Sequence, residues 1–335
     1  MRITSLTGVP LLTLALLLAG GSAVTFGGVS TRAADAGLSY TAIDSELGKL
    51  PAPKKHYRFA YVSKTLINEF WQAVKVGTDQ AAAKNGVTVD TQAAKDESSL
   101  TEQLNIAQTM LSGGYDALLV SPQSDSNLGP AIEQARAKGI PVIDIDDARA
   151  AGVSTYIGTD QVAIGLKAAR YIFSKLPQGG EVAQIEGQAG SPNARARIKG
   201  FKQGVEQSGK LTLVASQPGN WDRLTALDAA ATIIRSHPNL KAFYANNDTM
   251  ALGVVEAVRN AGATGKIIVV GTDGIGAAKK SIADGQLDAT VAEFPVQEGE
   301  LGVEMAIRQL EGQKLPAWII SQQDVITKDN VSKFQ

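Results

Sequence analysis

The chain has 335 residues, 44% of them hydrophobic, which is room for about two domains with cores of their own. Its 32 Lys and Arg against 33 Asp and Glu leave a formal net charge of −1, which excludes the basic footprint of a nucleic-acid binder or of a protein held on an acidic membrane face. The lack of cysteine excludes disulfides, thiolate metal sites and lipid attachment to an N-terminal cysteine, and two histidines in separate segments, His56 and His237, leave little for zinc or triad chemistry.

In chain order, Arg2 precedes an apolar run from Val9 to Leu18, and small residues then lead into STRAADA. This is the pattern of a secretory signal over residues 1–36, cleaved after Ala33 or Ala36, with Ala23 as an alternative. The run of about ten residues is half of the roughly twenty that a bilayer span needs, so the mature chain is expected to be soluble and outside the cytoplasm, in the periplasm. Residues 37–55 carry Pro51 and Pro53 with no clear period and read as a linker or surface-draped extension.

From His56 the pattern is regular. YRFAYVS reads as a strand, and Phe70, Ala73, Val74, Gly77 and Ala81 form the stripe of a helix that ends at Gly86. VTVDT is a second strand, and Ser99 with Glu102 forms a capping box for a helix with Leu100, Leu104, Ala107 and Leu111 on one face. ALLV at 117–120 is a third strand, followed by a helix from about Asn127 to Lys138. IPVIDIDD is a fourth: Pro141 needs no ladder partner at its start and Val142, Ile143 and Ile145 fill a core, yet it stops on adjacent carboxylates, Asp146 and Asp147. Strands at STYIG, EVAQIEG, LTLVASQ, AFYAN, IIVVGTD and ATVAEF then repeat the alternation, separated by helices starting near Asp160, Asn193, Trp221, Asn247 and Gly276. Such alternation implies parallel βαβ units with right-handed crossovers, giving an α/β fold of two doubly wound, Rossmann-like halves.

In open α/β sheets the ligand sits beyond the carboxyl ends of the strands. Those positions hold Lys64 and Asn68, with Phe70 and Trp71 opening the next helix, then Asp146 and Asp147, Arg197, Trp221, Asn247, Asp273 and Glu293. Carboxylates that accept hydroxyl protons, cations and amides that donate to hydroxyl and ring oxygens, and flat rings that cover C–H faces are the set a sugar needs. Each residue alone has a plainer reading: Asn247 or Asp273 as a helix cap, Trp221 as core, Arg197 in a surface ion pair worth under about 1 kcal/mol. Asp146 and Asp147 resist it, because a buried carboxylate costs several kcal/mol unless donors surround it.

The stretches SKTLINEFW, IPVIDIDD, ASQPGNWDR, NNDTMALG and VVGTDGI make the chain, from about Lys55 onward, resemble the periplasmic sugar-binding proteins of the ribose-binding group, which serve ABC importers; within that group it is most similar to D-allose-binding proteins. The resemblance implies a type I periplasmic binding protein, with a first lobe of residues 56–159 and 294–322 and a second of 160–293 and 323–335. Three hinge crossings would join them, and a monosaccharide would sit in the interlobe cleft. It places Lys64, Asn68, Phe70, Trp71, Asp146, Asp147, Arg197, Trp221, Asn247 and Asp273 on the ligand and leaves Arg195 structural. Lys64, Asp147 and Trp221 follow the allose-type pattern, where ribose binders have Ser, Arg and Phe. Glu293 departs from the Gln of both groups, which widens the ligand class to a polyol, another hexose or pentose, or an amine-bearing molecule. The implied partners are the sugar and an ABC permease, with a chemoreceptor or sensor kinase as a further docking partner, and the implied state is a monomer without cofactor.

Three other classes are weighed against this. A transcriptional regulator of the same core fold would begin with a basic helix-turn-helix, where this chain has an export signal. A dinucleotide enzyme would need a fingerprint that GTDGIG at 271–276 does not match. Asp146 with Glu293 or Asp273 could in principle serve as the carboxylate pair of a glycosidase.

Overall fold

Strand residues Phe59 and Tyr61 point to one side and Ala60 and Val62 to the other, and all four are buried. A strand covered on both faces requires helices on both faces. A computed structural model, which describes residues 37–334, shows how the chain supplies them; the signal segment read at 1–36 lies outside the described residues. The first half runs β1 (Leu38–Ser39), α1 (Ile43–Leu47), β2 (Arg58–Ser63), α2 (Glu69–Asn85), β3 (Thr88–Ala93), α3 (Leu100–Met110), β4 (Ala117–Val120), α4 (Gly129–Ala137), β5 (Val142–Ile145) and β6 (Thr155–Gly158). The second runs α5 (Gln161–Lys175), β7 (Gly180–Glu186), α6 (Pro192–Ser208), β8 (Leu211–Pro218), α7 (Arg223–Ser236), β9 (Leu240–Ala245), α8 (Asp248–Asn260), β10 (Ile268–Asp273), α9 (Gly276–Ala283) and β11 (Ala289–Glu293). The chain then returns through α10 (Pro295–Leu310), β12 (Trp318–Ile320) and β13 (Gln323–Thr327).

Two sheets result, each the centre of a lobe. The first has the order β1-β12-β6-β5-β4-β2-β3 and is wholly parallel. The second has the order β13-β11-β10-β9-β7-β8, with only β13 antiparallel. The backbone passes between them after β6, after β11 and after β12. In the second lobe Ile164, Val182, Phe201, Tyr244 and Val270 pack on one face of the sheet. Ala183, Ile185, Ala226, Phe243 and Val269 pack on the other. Helices α5 and α6 approach until a Cβ at Gly165 would lie 2.1 Å from the carbonyl oxygen of Arg197. Only glycine allows that spacing. Among the described residues no helix is long and apolar enough to cross a membrane.

Two local expectations are corrected. Of the two readings of residues 37–55, the linker is excluded and the surface extension holds in docked form: Leu38 and Ser39 pair with Ile319 and Ile320 as an edge strand, and Ile43 is buried. The segment also closes over Arg308, whose buried guanidinium donates to Gly48 O (2.9 Å), Asp44 Oδ1 (3.1 Å) and Gln313 Oε1 (3.0 Å). A two-residue strand and a five-residue helix are too short to display a period. The Ser99–Glu102 capping box also fails to form. Asp96 competes for it, accepting from Ser99 Oγ at 2.7 Å, while Glu102 turns back to accept from the Lys95 amide at 3.3 Å.

Arg308→Ala should therefore lower stability by about 2–3 kcal/mol, since it removes the charged donor that ties Gly48 and Asp44 of the N-terminal segment to α10. Chemical denaturation of the mature protein measures this, and an unchanged midpoint would show that residues 37–55 are not anchored there.

Candidate functional site

The carboxyl ends of both sheets face one another, and ten of the predicted residues line a single small interlobe cavity. They are Lys64, Asn68, Phe70, Trp71, Asp146, Asp147, Arg197, Trp221, Asn247 and Asp273. Glu97 and Asn193, which the sequence reading missed, complete the lining.

On the first lobe, Asn68 caps α2 through Oδ1, which accepts from the Phe70 amide at 3.1 Å, and donates Nδ2 to Glu97 Oε1 at 2.8 Å. Phe70 and Trp71 meet edge to face, with centroids 4.9 Å apart and planes at 83°. Lys64 is buried between Trp71 and Trp221, its Nζ 5.6 and 5.5 Å from the two rings, and pairs with Asp147 and with Glu97 Oε2 (3.0 Å). Burial works against its charge, but Asp147 and Glu97 outweigh burial and hold the ammonium above its ordinary range.

Strand β5 ends in two left-handed residues, Asp146 (φ 56°) and Asp147 (φ 66°), a conformation that costs non-glycine residues about 1–2 kcal/mol each. The turn is held because the Asp146 amide donates to Ile157 O at 2.8 Å. Both side chains then reach the second lobe. Asp146 Oδ1 accepts from Asn193 Nδ2 (3.1 Å) and Gln161 Nε2 (3.2 Å). Asp147 Oδ1 accepts from Ser191 Oγ (3.0 Å) and the Asn193 amide (3.4 Å). Asp147 is thus answered by a cation, and Asp146 only by amides. Burial, with Glu293 adding to it and Arg197 only partly opposing it, pushes the Asp146 carboxyl up to about 7.

On the second lobe Arg197 gathers the strand ends. It donates Nε to Gln161 Oε1 (2.7 Å), Nη1 to Asn246 O (2.7 Å) and Asp273 Oδ1 (3.4 Å), and Nη2 to Glu293. Asp273, at φ 119°, is raised well above the ordinary carboxylate range by burial, against the pull of Arg197. Asn247 caps α8 through Oδ1 (Met250 amide, 2.9 Å), which aims its amide group at the cavity. The ring of Trp221 occupies space that a Cβ at Gly187 would invade at 2.1 Å, and its Nε1 has no partner among the described residues.

Glu293, predicted as a ligand contact, is not brought to the cavity wall. Its carboxylate turns inward to Arg197, Thr159 Oγ1 and Gln161 Nε2 (2.7 Å), because a buried guanidinium needs a counter-ion at contact distance. Gln161, which links Arg197, Glu293 and Asp146, also escaped the sequence reading. It follows the cap Asp160 directly, and one glutamine in a helix carries no signal of its own.

Two doubly wound lobes that close acids, amides and rings around a small polar space define a two-lobed receptor for a small polyhydroxylated ligand. Residues 59–314 match the family described as a periplasmic binding protein domain, and the chain belongs to that family. It is 42% identical over 258 residues to the D-allose-binding periplasmic protein of Escherichia coli K12, covering 74% of this chain and 83% of that one. It is 36% identical over 263 residues to the ribose import binding protein of Bacillus subtilis 168, covering 78% and 84%. Among solved structures, an ABC transporter periplasmic solute-binding protein of Actinobacillus succinogenes with bound D-allose superposes with a TM-score of 0.79 at 30% identity, over 83% of this chain and 99% of that one.

The site carries a stability signature. The folded pKa of Asp146, about 7, lies above its ordinary 3.8, so between those values the folded state keeps a proton that the unfolded chain has lost. Its contribution is therefore present at low pH and is lost as pH rises through 7. Asp146→Asn, which keeps an oxygen for Gln161 and Asn193, should raise the ligand-free melting temperature at pH 8 and flatten its fall between pH 5 and 8. Scanning calorimetry at several pH values tests this; a variant less stable than the parent at pH 8 would contradict the strained carboxylate.

Proposed function

We propose that this protein is the solute-binding component of an ABC sugar importer, that it captures a neutral monosaccharide, an allose-like hexose or a related aldose or ketose, between its lobes, and that it delivers this sugar to the permease. The carrying observation is the inventory of groups left for a ligand once the protein's own bonds are counted. Asp146 Oδ2 and Asp273 Oδ2 remain as acceptors facing the cavity, and the amide of Asn247 and Nε1 of Trp221 remain as donors, with Phe70, Trp71 and Trp221 as flat walls. A pyranose presents hydroxyls that both donate and accept, with C–H faces between them, and so satisfies all of these at once. The D-allose-binding relative and the solved structure with bound D-allose support the same class.

The inward orientation of Glu293 favours a neutral sugar over an amine-bearing ligand, since that carboxylate is already neutralised by Arg197. On this reading residues 1–36 direct export to the periplasm and the protein works as a monomer. A chemoreceptor or sensor kinase would read the same closed surface that the permease reads.

Thermal-shift screening against aldoses, ketoses and polyols should find one ligand that raises the melting temperature, because only the folded state binds it. With that ligand, Asp146→Ala should weaken binding at least about 100-fold through loss of charge-assisted hydrogen bonds. Affinity in the parent should rise from pH 6 to pH 8 as the Asp146 carboxyl ionises through about 7. Calorimetry showing unaltered affinity in the variant would refute the assignment.

A further inference from the structure

The loop from Lys95 to Ser99, between β3 and α3, is tied down more firmly than its solvent position requires. Asp96 Oδ1 accepts from the Ser98 amide (2.9 Å), Ser98 Oγ (2.8 Å) and Ser99 Oγ (2.7 Å), and Asp96 O accepts from Gln123 Nε2 at 2.8 Å. Glu102 holds the Lys95 amide, and Thr65 Oγ1 donates to Lys95 O at 3.4 Å. The residues that would have capped α3 are diverted into fixing this loop. What the loop presents to the cavity is Glu97, whose side chain is 11% exposed and grips Lys64 with one oxygen and Asn68 with the other.

From this arrangement we infer that Glu97 is a positioning and specificity residue, which orients the Lys64 and Asn68 donors and, by supplying Lys64 with a second carboxylate beside Asp147, excludes anionic sugars from this wall. The inference rests on the neutral-monosaccharide reading and sharpens it. Lys64 with Asp147 alone would be a charge-balanced pair whose remaining ammonium protons could still meet the carboxylate of a uronic acid or a sugar phosphate. With Asp147 and Glu97 both in contact, the trio carries a net negative charge, which repels an anionic oxygen and favours a neutral one for the proton left on Nζ. Glu97 also fixes which edge of the Asn68 amide faces inward, because Oδ1 is committed to the Phe70 amide and one Nδ2 hydrogen to Glu97, leaving the other free.

The test uses the mature protein, Glu97→Gln and Glu97→Ala, with calorimetric titration of the neutral aldose selected by thermal shift and of the corresponding uronate. Glu97→Gln keeps an acceptor for Asn68 but removes one of the two negative charges that face Lys64. It should bind the neutral sugar about tenfold more weakly and narrow the preference over the uronate by about tenfold or more, while Glu97→Ala should lose more of the neutral affinity. A purely structural role would weaken both ligands in parallel, so an unchanged neutral-to-anionic ratio in Glu97→Gln overturns the inference, as does parental affinity in both variants. If the unsubstituted protein binds no aldose, ketose or polyol, the monosaccharide reading itself falls and this inference falls with it.

Discussion

Everything at the centre of this molecule is arranged around a guanidinium that has almost no contact with water. Arg197 must be neutralised where it sits, because an uncompensated buried charge would cost several kcal/mol. Its five donors therefore specify where the surrounding backbone has to be: the start of α5 through Gln161, the end of β9 through Asn246, the end of β10 through Asp273 and the end of β11 through Glu293. The close packing of α5 on α6, possible only because Gly165 and Gly200 lack side chains, brings Gln161 within reach of Arg197. Since β11 leads directly into a crossing between the lobes, the Arg197–Glu293 pair ties ligand-facing chemistry to the hinge.

The same network makes closure expensive for the empty protein. Gln161 and Asn193 of the second lobe bond to Asp146 of the first, yet neither brings a charge, and Asp146 and Asp273 both stand above their ordinary range because burial opposes their ionisation. Small contacts at the rim oppose that penalty. Arg195 pairs with Asp125 across the mouth at 2.5 Å, and the Gly276 amide at the start of α9 donates to Glu69 of α2 at 2.7 Å. Both are solvent-facing, and exposed pairs are worth under about 1 kcal/mol. On the proposed reading, ligand hydroxyls that donate to Asp146 and Asp273 would remove the cost where it is incurred. The ligand stabilises the closed state selectively, which is what a two-state receptor requires.

The layered fold and most of the cavity lining were legible in the sequence because they rest on local signals. Period-2 and period-3.6 patterns mark the strands and helices, and the rule that function gathers at strand ends marks Asp146, Asp147, Asn247 and Asp273. What stayed hidden depends on competition between groups far apart in the chain. Ser99 and Glu102 have the spacing of a capping box, and nothing local reveals that Asp96 will take the hydroxyl. Residues 37–55 form elements too short to show a period, and their partners, β12 and Arg308, lie more than two hundred residues away, so nothing local announces the docking. Glu97 and Asn193 look like ordinary surface polar residues until Lys64 and Asp146 are seen to need them.

Glu293 shows most clearly why residue type at a strand end does not fix a role. Lys64 and Arg197 are the two cations of the cavity, and each recruits acids: Lys64 takes Asp147 and Glu97, and Arg197 takes Glu293 with a longer contact to Asp273. The acids in close ion pairs orient their cations and are no longer free acceptors. The acids left with amides or a long contact, Asp146 and Asp273, keep an oxygen directed at the cavity and keep the electrostatic stress that a guest can relieve. A glutamate therefore acts on the ligand here only through the donor it holds in place. Glu293 holds Arg197 without placing its own negative charge on the cavity wall, which is compatible with the neutral ring proposed for the cavity.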